Sequence, residues 1–427
     1  MLPEFDHKLR AFAAVIVRIG LNLQRGQHLL IAEPYELQGV ARSAEVIVEA
    51  VRAAALAAGC PHPGAIDVIW GDGPRLREFA AKGDWRGFTK IVTENARQMD
   101  QAVRGGAALL FLQGSQPGLM DGIPAERVAE LRRIGWEHFG PISQQLIAGA
   151  TNWTVAPAPS PVWAHAVYAD LPSEQRLAAL WDAVFEACRV GPALDAGPGL
   201  PANGSLPEKA LAAWQSHLLT LRNFRAGLNA QRTKVLRYMG AGTDLAVSLP
   251  AEHLWCTAQL STKSGLPFVA NLPTEEVFTL PHRDSATGTV RVSRPVSYGG
   301  TLIDGIELEF QRGCVLNAKA RLGENLLKQL LETDDGAGRL GEVALVGLPL
   351  VGKPSSSTAA SAGPTWQSSG RSFQHPLLDE NACNHIALGE AYAFCLRAPD
   401  APAFNRSLIH VDLPLDATSN LASPELS

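Results

Sequence analysis

The sequence predicts two domains of different architecture: an N-terminal three-layer α/β domain built on a mostly parallel sheet, and a C-terminal domain with a mixed or antiparallel, β-rich fold. The chain has 427 residues, more than a single hydrophobic core normally serves. Segments with helical periodicity alternate with short strand-like runs in the first half, whereas hairpin patterns dominate the second half. We therefore expect an N-terminal domain over residues 1–195 and a C-terminal domain over residues 196–427.

The first half carries the α/β alternation. Leu9, Phe12 and Ile16 share one face of the first predicted helix, and an apolar run after it predicts a strand. The predicted elements are, in order, helix 8–20, strand 28–32, helix 40–58, strand 66–70, helix 90–104 and strand 107–112. Strands separated by helices usually pair in parallel, so we expect a parallel sheet covered by helices.

A segment rich in Gly and Pro, residues 191–204, separates this pattern from the second half. A helix is predicted after it, at residues 207–232. Between residues 234 and 320, Ile306, Leu308 and Phe310 alternate with acidic residues, and Gly-rich turns interrupt the run. This pattern is typical of antiparallel hairpins.

Composition limits the classes of partner. The formal charge of −5 leaves no basic footprint for nucleic acid or an anionic membrane, and no segment has about 18 uninterrupted apolar residues. The first residues lack the apolar stretch of a signal peptide, and the six cysteines have no paired spacing. We therefore expect reduced thiols, a cytoplasmic location, and neither nucleic acid nor membrane as partner.

Metal-ligand chemistry is concentrated between residues 379 and 412. The candidate residues there are Asp379, Glu380, Asn381, His385, Tyr392, His410 and Asp412. Neutral imidazole nitrogen and anionic carboxylate oxygen together hold Zn²⁺, Co²⁺ or Mn²⁺ and leave positions for water. The stretch therefore predicts a hydrolytic metal centre.

Local geometry is expected to bring these side chains together. Residues 380–395 predict a helix in which two turns separate His385 from Tyr392, so that both project from nearly one face. The alternation around His410 predicts a strand with His410 and Asp412 on one side. Each piece also has a structural interpretation: a hydrogen-bonded core histidine, a salt-linked His-Asp pair, and ordinary packing of the tyrosine.

Further carboxylates lie upstream. Glu275 and Glu276 stand among strand-forming residues, so an extended backbone points one toward the metals and the other toward a structural partner. Glu342 opens a run of Val, Ala and Leu that predicts a buried strand. Because an unpaired buried carboxylate is costly, Glu342 needs a partner, and a salt bridge to Arg339 or Lys353 would satisfy it as well as a metal would.

Taken together, these motifs resemble the aminopeptidase T family of dinuclear metallo-aminopeptidases. The matching segments, in the family's order, are residues 20–24, 152–155, 271–279, 281–284, 339–346, 379–381, 385–389, 392 and 410–412. The resemblance covers most of the chain. It implies an enzyme that removes N-terminal residues from peptides at two divalent metal ions per subunit, drawn from Zn, Co, Mn or Mg, and it implies a homodimer.

The resemblance also implies a role for each site residue. The implied metal ligands are Glu276, Glu342, His385, His410 and Asp412. Glu342 is the implied bridge between the ions, and the family's spacing selects Glu276 rather than Glu275. Glu380 is implied to be a further ligand or the base that handles protons, and Tyr392 to hydrogen-bond the substrate or the tetrahedral intermediate. The nearest acid for the substrate's free α-amine is one of the adjacent pair Glu275 and Glu276.

Other functions stay open on the sequence alone. A metal-dependent amidase that acts on a small non-peptide amide would use the same ligands. A related metal-site fold supports Fe²⁺-dependent ring-opening oxygenases. A non-catalytic binding protein that kept the fold and lost turnover is a further alternative.

Two departures from the family's pattern bear on the site. Residues 353–370 form a longer polar stretch whose composition cannot bury much surface, and we expect a mobile loop there, either a lid or a tolerated insertion. After Asp412, residues 413–420 replace the family's ending, which predicts a missing terminal strand.

Overall fold

The structure, a computed structural model, describes residues 3–35, 38–191, 203–298, 300–347, 365–397 and 404–422. The chain divides into two compact units. The first comprises Met1–Leu218 and Ala258–Pro273, and the second comprises Leu219–Thr257 and Thr274–Ser427. The domain boundary expected after residue 195 stays a prediction.

The helices and strands alternate first and then give way to strands. The helices are α1 (Pro3–Val15), α2 (Glu45–Ala57), α3 (Gly73–Lys82), α4 (Trp85–Arg104), α5 (Ala125–Ile147), α6 (Pro161–Val167), α7 (Ser173–Ala187), α8 (Leu206–Gln231), α9 (Glu324–Leu331), α10 (Thr365–Ser368) and α11 (Pro376–Glu380). The strands are β1 (Leu29–Ala32), β2 (Ile66–Val68), β3 (Ala108–Gln113), β4 (Trp153–Pro157), β5 (Val235–Gly240), β6 (Thr243–Ser248), β7 (Gln259–Ser261), β8 (Pro267–Val269), β9 (Glu276–Thr279), β10 (Thr287–Arg291), β11 (Val296–Tyr298), β12 (Thr301–Ile303), β13 (Glu307–Gln311), β14 (Cys314–Lys319), β15 (Leu340–Val346), β16 (His385–Gly389), β17 (His410–Pro414) and β18 (Ala417–Ala422).

The first unit is built on a parallel sheet. Its strands lie in the order β2-β1-β3-β4 and pair in parallel throughout. All six residues of β3 are buried, as expected for a central strand covered on both faces. The predicted α/β architecture with a parallel sheet is confirmed.

The helices of this unit follow the predicted periodicity. The helix predicted at 90–104 is α4, whose buried residues Phe88, Val92, Met99 and Val103 recur at helical spacing. Asp84 caps it by accepting a hydrogen bond from the backbone N–H of Gly87 at 3.0 Å. The predicted helices at 8–20 and 40–58 correspond to α1, which continues as a π-helical turn over Ile16–Gly20, and to α2.

The second unit is dominated by antiparallel sheets. A six-stranded sheet has the order β14-β13-β10-β6-β5-β18, and a four-stranded sheet has the order β17-β16-β15-β9. The predicted hairpins between residues 234 and 320 are confirmed, and Leu308 and Phe310 of β13 are buried while their acidic neighbours are exposed. The four-stranded sheet carries the candidate metal ligands.

The predicted helix over residues 380–395 is wrong. The helix α11 ends at Glu380, and residues 385–389 form the central strand β16, which pairs with β15 on one side and β17 on the other. A short apolar run suits either a buried strand or a buried helix, and here pairing on both edges decides for the strand. Gly389 closes it with φ +101, where a Cβ would lie 2.1 Å from the backbone oxygen of Ile409.

The predicted loss of a terminal strand is also wrong. Residues 417–422 form β18, which pairs antiparallel with β5 along its whole length and lies at the edge of the six-stranded sheet. The Pro414 to Asp416 connection separates β17 from β18, so the unusual ending still provides a strand.

Two sequence predictions fall largely outside the described residues. Most of the Gly- and Pro-rich boundary at 191–204 and the polar stretch 353–364 belong to the undescribed parts, whereas residues 365–368 form the short helix α10. Within the described ranges, the structure contains no helix with the length and apolar character needed to cross a membrane.

Candidate metal centre

The four-stranded sheet of the second unit carries the candidate ligands. Its strands bear Glu276 in β9, Glu342 in β15, His385 in β16, and His410 and Asp412 in β17. The register places Glu342 opposite Ala387, and Ala387 opposite Asp412. Directly opposite residues on neighbouring strands project from the same face of a sheet, so the two carboxylates share a face across one small residue.

A β-bulge sets the direction of Glu342. The register between β15 and β16 shifts between Leu340 and Glu342, and Gly341 occupies the shift. A Cβ on Gly341 would lie 2.3 Å from the backbone oxygen of Glu390, so a larger residue cannot take this position. Bulges bend a strand and re-aim the side chain beside them, which here is the acid.

The side chains converge around two imidazoles. Nε2 of His385 lies 2.9 Å from Oε2 of Glu276 and 3.5 Å from Oε1 of Glu342. Oε2 of Glu342 lies 3.7 Å from Nε2 of His410, which lies 3.5 Å from Oδ1 of Asp412. Glu342 therefore faces a different imidazole with each of its carboxylate oxygens.

The cluster has a closed end and a more open end. The side chains of His385, Glu276 and Glu342 are 1%, 5% and 5% exposed, whereas those of His410 and Asp412 are 19% and 18% exposed. A small molecule therefore reaches the His410 and Asp412 end more easily.

Burial and neighbouring charges shift the pKa values of the clustered side chains. Burial, together with the charge of Glu276, raises the pKa of Glu342 to about 7. Burial opposes the charging of His410, but Asp412 and Glu342 outweigh it and raise the pKa of His410 to about 9. Burial likewise opposes ionisation of Asp412, yet the charge and hydrogen bond of His410 lower its pKa to about 2.

The two acids of α11 have different partners. Asp379 accepts a backbone N–H bond from Phe373 at 2.9 Å and pairs with Arg294 at 3.2 Å, so its role is structural. Glu380 is buried, and its carboxyl group lies beside that of Asp412. Burial and the nearby charge of Asp412 raise the pKa of Glu380 well above its usual range.

Tyr392 reaches the site by a route other than the predicted helix face. It follows β16 and precedes a single 3-10 turn, Ala393–Cys395. The centroid of its ring lies 4.9 Å from that of His410, and Phe394 stacks on it at a centroid distance of 5.3 Å and an interplanar angle of 11°. The tyrosine therefore adjoins the cluster beside His410.

The upstream acids have different surroundings in the structure. Glu276 is directed at His385, whereas the backbone N–H of Glu275 donates to Oδ1 of Asn381 at 2.6 Å. Arg339, the suggested partner of Glu342, pairs instead with Asp284 at 2.7 Å. Lys353, the other suggested partner, lies outside the described residues.

Two residues that support the cluster were not assigned a role from the sequence. The hydroxyl of Tyr238 in β5 donates to the backbone oxygen of Ala344 at 3.0 Å and is fully buried. The alternating burial of β5 is the signal that would have placed this side chain inward. Asn381 lies in the acidic motif, but no local sequence pattern shows that its amide contacts the distant Glu275.

The donor set fits a divalent cation. Among the described residues, Glu276, Glu342 and His385 form a group whose ligand atoms all lie within 4.8 Å of one another. Ligands that each lie about 2 Å from one ion are separated from each other by roughly 3–4 Å, and Nε2 of His385 lies at comparable distances of 2.9 Å and 3.5 Å from the two acids. A cation would also offset the cost of burying several carboxylates together.

Comparison with known proteins finds similar sequences along nearly the whole chain. The sequence signature of the family described as thermophilic metalloprotease (M29) matches residues 5–421. Aminopeptidase T of Thermus thermophilus is 37% identical over 417 residues, which cover 96% of this chain and 93% of that protein. Aminopeptidase AmpS of Bacillus subtilis is 31% identical over 419 residues, with 96% and 93% coverage.

A solved structure agrees with the sequence comparison. The structure of wild-type AmpT from Thermus thermophilus matches with a TM-score of 0.79 at 36% identity, and the match covers 96% of this chain and 93% of that one. The similarity therefore extends through both compact units.

Proposed function

The chain belongs to the thermophilic metalloprotease family M29, and from that membership we propose that the cluster around His385 and His410 is the catalytic metal centre of this metal-dependent aminopeptidase. The enzyme is a peptidase of the hydrolase class. One observation carries the assignment of the centre. The two carboxylate oxygens of Glu342 lie 3.5 Å and 3.7 Å from two different imidazoles, inside a buried group of acids.

Five residues are assigned to the metals. They are Glu276, Glu342, His385, His410 and Asp412. The position of Glu342 between the two imidazoles supports its role as the bridge, because a carboxylate with one oxygen toward each histidine is suited to joining two ions. We therefore propose two divalent ions per subunit, drawn from Zn, Co, Mn or Mg.

The chemistry divides between the metals and the protein. When bound, a divalent ion in such a site supplies a Lewis acid for the scissile carbonyl and lowers the pKa of water to roughly 7. Glu380 is assigned to proton transfer, from the attacking water to the leaving amine. Its position beside Asp412, itself a proposed ligand, supports this role because it brings a further carboxyl group directly to the centre.

Tyr392 is assigned to the carbonyl oxygen of the substrate. Its ring packs against His410, which brings a phenol donor to the more open end of the cluster. A hydrogen-bond donor there stabilises negative charge that develops on the carbonyl oxygen. Tyr392 therefore contributes to turnover rather than to metal binding.

The substrate is proposed to be a peptide with a free N-terminus, and Glu275 or Glu276 is the candidate for holding its α-amine. Membership of the peptidase family does not favour the oxygenase and binding-protein alternatives. The substrates that are cleaved distinguish an aminopeptidase from an amidase that acts on a small non-peptide amide.

Two further properties are proposals of the same kind. We propose a cytoplasmic location, which the buried reduced thiols of Cys60 and Cys395 support because such thiols persist in reducing compartments. We also propose a homodimer, which light scattering of the purified protein tests directly.

The experiment that tests the function is hydrolysis of aminoacyl-p-nitroanilides by EDTA-treated protein, before and after addition of Co²⁺, Zn²⁺ or Mn²⁺. N-acetylated versions of the same compounds are the matched controls. We expect metal-restored cleavage only where the α-amine is free. Cleavage of the acetylated compounds would show an amidase or endopeptidase instead, and inactivity with all three metals would contradict the proposal.

A further inference from the structure

We propose that Asn381 is a positioning residue whose side-chain amide couples the strand that carries Glu276 to the carboxyl group of Glu380. The inference rests on the proposed function, because Glu276 and Glu380 are assigned there to metal binding and proton transfer. Asn381 itself contacts neither metal nor substrate. It acts through the two acids.

The amide of Asn381 lies between two elements that are distant in sequence. Its Oδ1 accepts the backbone N–H of Glu275 at 2.6 Å, one residue before Glu276 opens β9. Its Nδ2 donates to Oε1 of Glu380 at 3.1 Å and to the backbone oxygen of Leu377 at 2.9 Å. One side chain therefore holds the position of β9 and the direction of Glu380 together.

The hydrogen-bonding capacity of this amide requires asparagine. Asn381 is completely buried, and its two N–H groups meet two oxygen acceptors while its oxygen meets a donor. This pattern fixes which end of the amide is oxygen. An aspartate of the same shape would place a carboxylate oxygen against Glu380 and the carbonyl of Leu377, so both bonds would become repulsive.

Holding one oxygen of Glu380 has a consequence for the rest of the centre. The carboxyl group of Glu380 also lies beside that of Asp412, whose Oδ1 lies 3.5 Å from Nε2 of His410. With the amide fixing its carboxyl group, Glu380 has less freedom to rotate away from Asp412. Two hydrogen bonds of Asn381 thus connect the start of β9 to Glu380, and Glu380 in turn adjoins the proposed ligand Asp412 of β17.

A comparison with Asn229 separates this role from ordinary support. Asn229 in α8 makes the same pair of backbone bonds, accepting the N–H of Trp255 at 2.9 Å and donating to the oxygen of Trp255 at 3.0 Å. It contacts none of the acids assigned to the centre. Asn229→Asp therefore disturbs a similar backbone link without touching the catalytic carboxylates.

The test uses the full chain with Asn381→Asp, Asn381→Ser and the control Asn229→Asp. Zn²⁺ affinity is measured by competition with a chelator, folding by thermal unfolding of the metal-free protein, and kcat and KM with leucine p-nitroanilide. Loss of a hydrogen bond behind a metal-site residue typically costs 10- to 100-fold. We expect Asn381→Asp to lower kcat and Zn²⁺ affinity by about this factor, with KM little changed, and Asn229→Asp to keep both.

A double variant shows whether Asn381 acts through Glu380. In the Glu380→Gln background we expect Asn381→Asp to add less than about 3-fold to the loss of kcat, because the group it positions is already impaired. Equal losses in both backgrounds, or wild-type kcat and Zn²⁺ affinity in Asn381→Ser, would overturn the inference. Asn381→Ser serves if the aspartate variant does not fold, because it adds no charge.

The outcomes separate this inference from the proposed function. If the wild-type enzyme cleaves no free-amine substrate with any metal, the function fails while the Zn²⁺ affinities of the variants still judge the role of Asn381. If the wild type is active and the Asn381 variants match Asn229→Asp in every measurement, the function stands and the inference fails.

Discussion

The central strands of the parallel sheet and of the metal-centre sheet are both buried, but they bury opposite chemistry. In the first unit, β3 buries Leu109, Leu110 and Phe111 without any charged group. In the second unit, β15 buries Glu342 and β16 buries His385. Apolar burial is favourable by itself, at roughly 25 cal/mol per Å², whereas a buried acid is stable only with a partner.

The two sheets therefore obtain their stability from different sources. The parallel sheet is stabilised by apolar packing against its covering helices and has no buried charge to offset. The metal-centre sheet places Glu276, Glu342 and Asp412 near two imidazoles, and a bound cation would offset their mutual repulsion. Changes in the first sheet should therefore alter folding without altering metal binding, and changes in the second should alter metal binding and turnover first.

The largest expected effect is on turnover, from His385→Ala or Glu342→Ala. Each removes a proposed metal ligand, and metal catalysis contributes several kcal/mol to the transition state, so kcat/KM should fall at least about 10³-fold. Steady-state kinetics with leucine p-nitroanilide measure this. The control is Glu307→Ala, an exposed acid on β13, which should keep full activity. Full activity in either site variant would contradict the assignment of that residue as a metal ligand.

The next largest effect is on stability, from a substitution in the core of the parallel sheet. Phe111 is fully buried in β3 and meets Phe139 edge-on, with ring centroids 5.8 Å apart. Phe111→Ala should lower the free energy of unfolding by about 3–5 kcal/mol, because it leaves a cavity in a packed core. Denaturant unfolding measures the loss. Zn²⁺ affinity measured below the unfolding transition should equal that of the wild type, and a tenfold drop would show that the two regions are not separable.

Metal binding should stabilise the second unit selectively. At a free metal concentration about 100 times the Kd, binding to the native state adds about 2.7 kcal/mol. Hydrogen exchange with and without Zn²⁺ locates the effect. Protection should rise in β9, β15, β16 and β17 and stay unchanged in β1, β3 and β4. Equal protection of both sets of strands would contradict the account.

The remaining effect concerns pH. In the metal-free protein the pKa of Glu342 is raised to about 7 and that of His410 to about 9. Below these pH values each group holds a proton that a cation must displace. Zn²⁺ affinity should therefore rise as the pH increases from 6 toward 9, by up to about tenfold per pH unit for each proton released. Calorimetry in buffers of different ionisation enthalpy counts those protons, and a count of zero at pH 7 would be inconsistent with this explanation.

The sequence predicted the architecture well because the relevant signals are local. Apolar periodicity identified α1, α2 and α4, and the alternation in β13 identified a hairpin strand. The helix predicted over 380–395 failed because β16 is defined by pairing with β15 and β17, which are far away in the chain. Local patterns contain no information about such partners.

The site shows the same limit. Its residue types can be recognised in the sequence, and their metal and catalytic roles stay proposals. The structure brings together Glu276, Glu342, Glu380, His385, Tyr392, His410 and Asp412. The sequence could not show that Gly341 forms a bulge beside Glu342 or that Asn381 meets Glu275. Both contacts depend on strands and turns that meet only in the folded chain.

The most direct test of the central claim is an anomalous-difference map from crystals grown with Zn²⁺, collected at the zinc edge. We expect two peaks per subunit, with Glu342 contacting each ion. Both peaks should lie among Glu276, Glu342, His385, His410 and Asp412. Peaks at other residues, or none at this cluster in protein that shows metal-dependent cleavage, would contradict it.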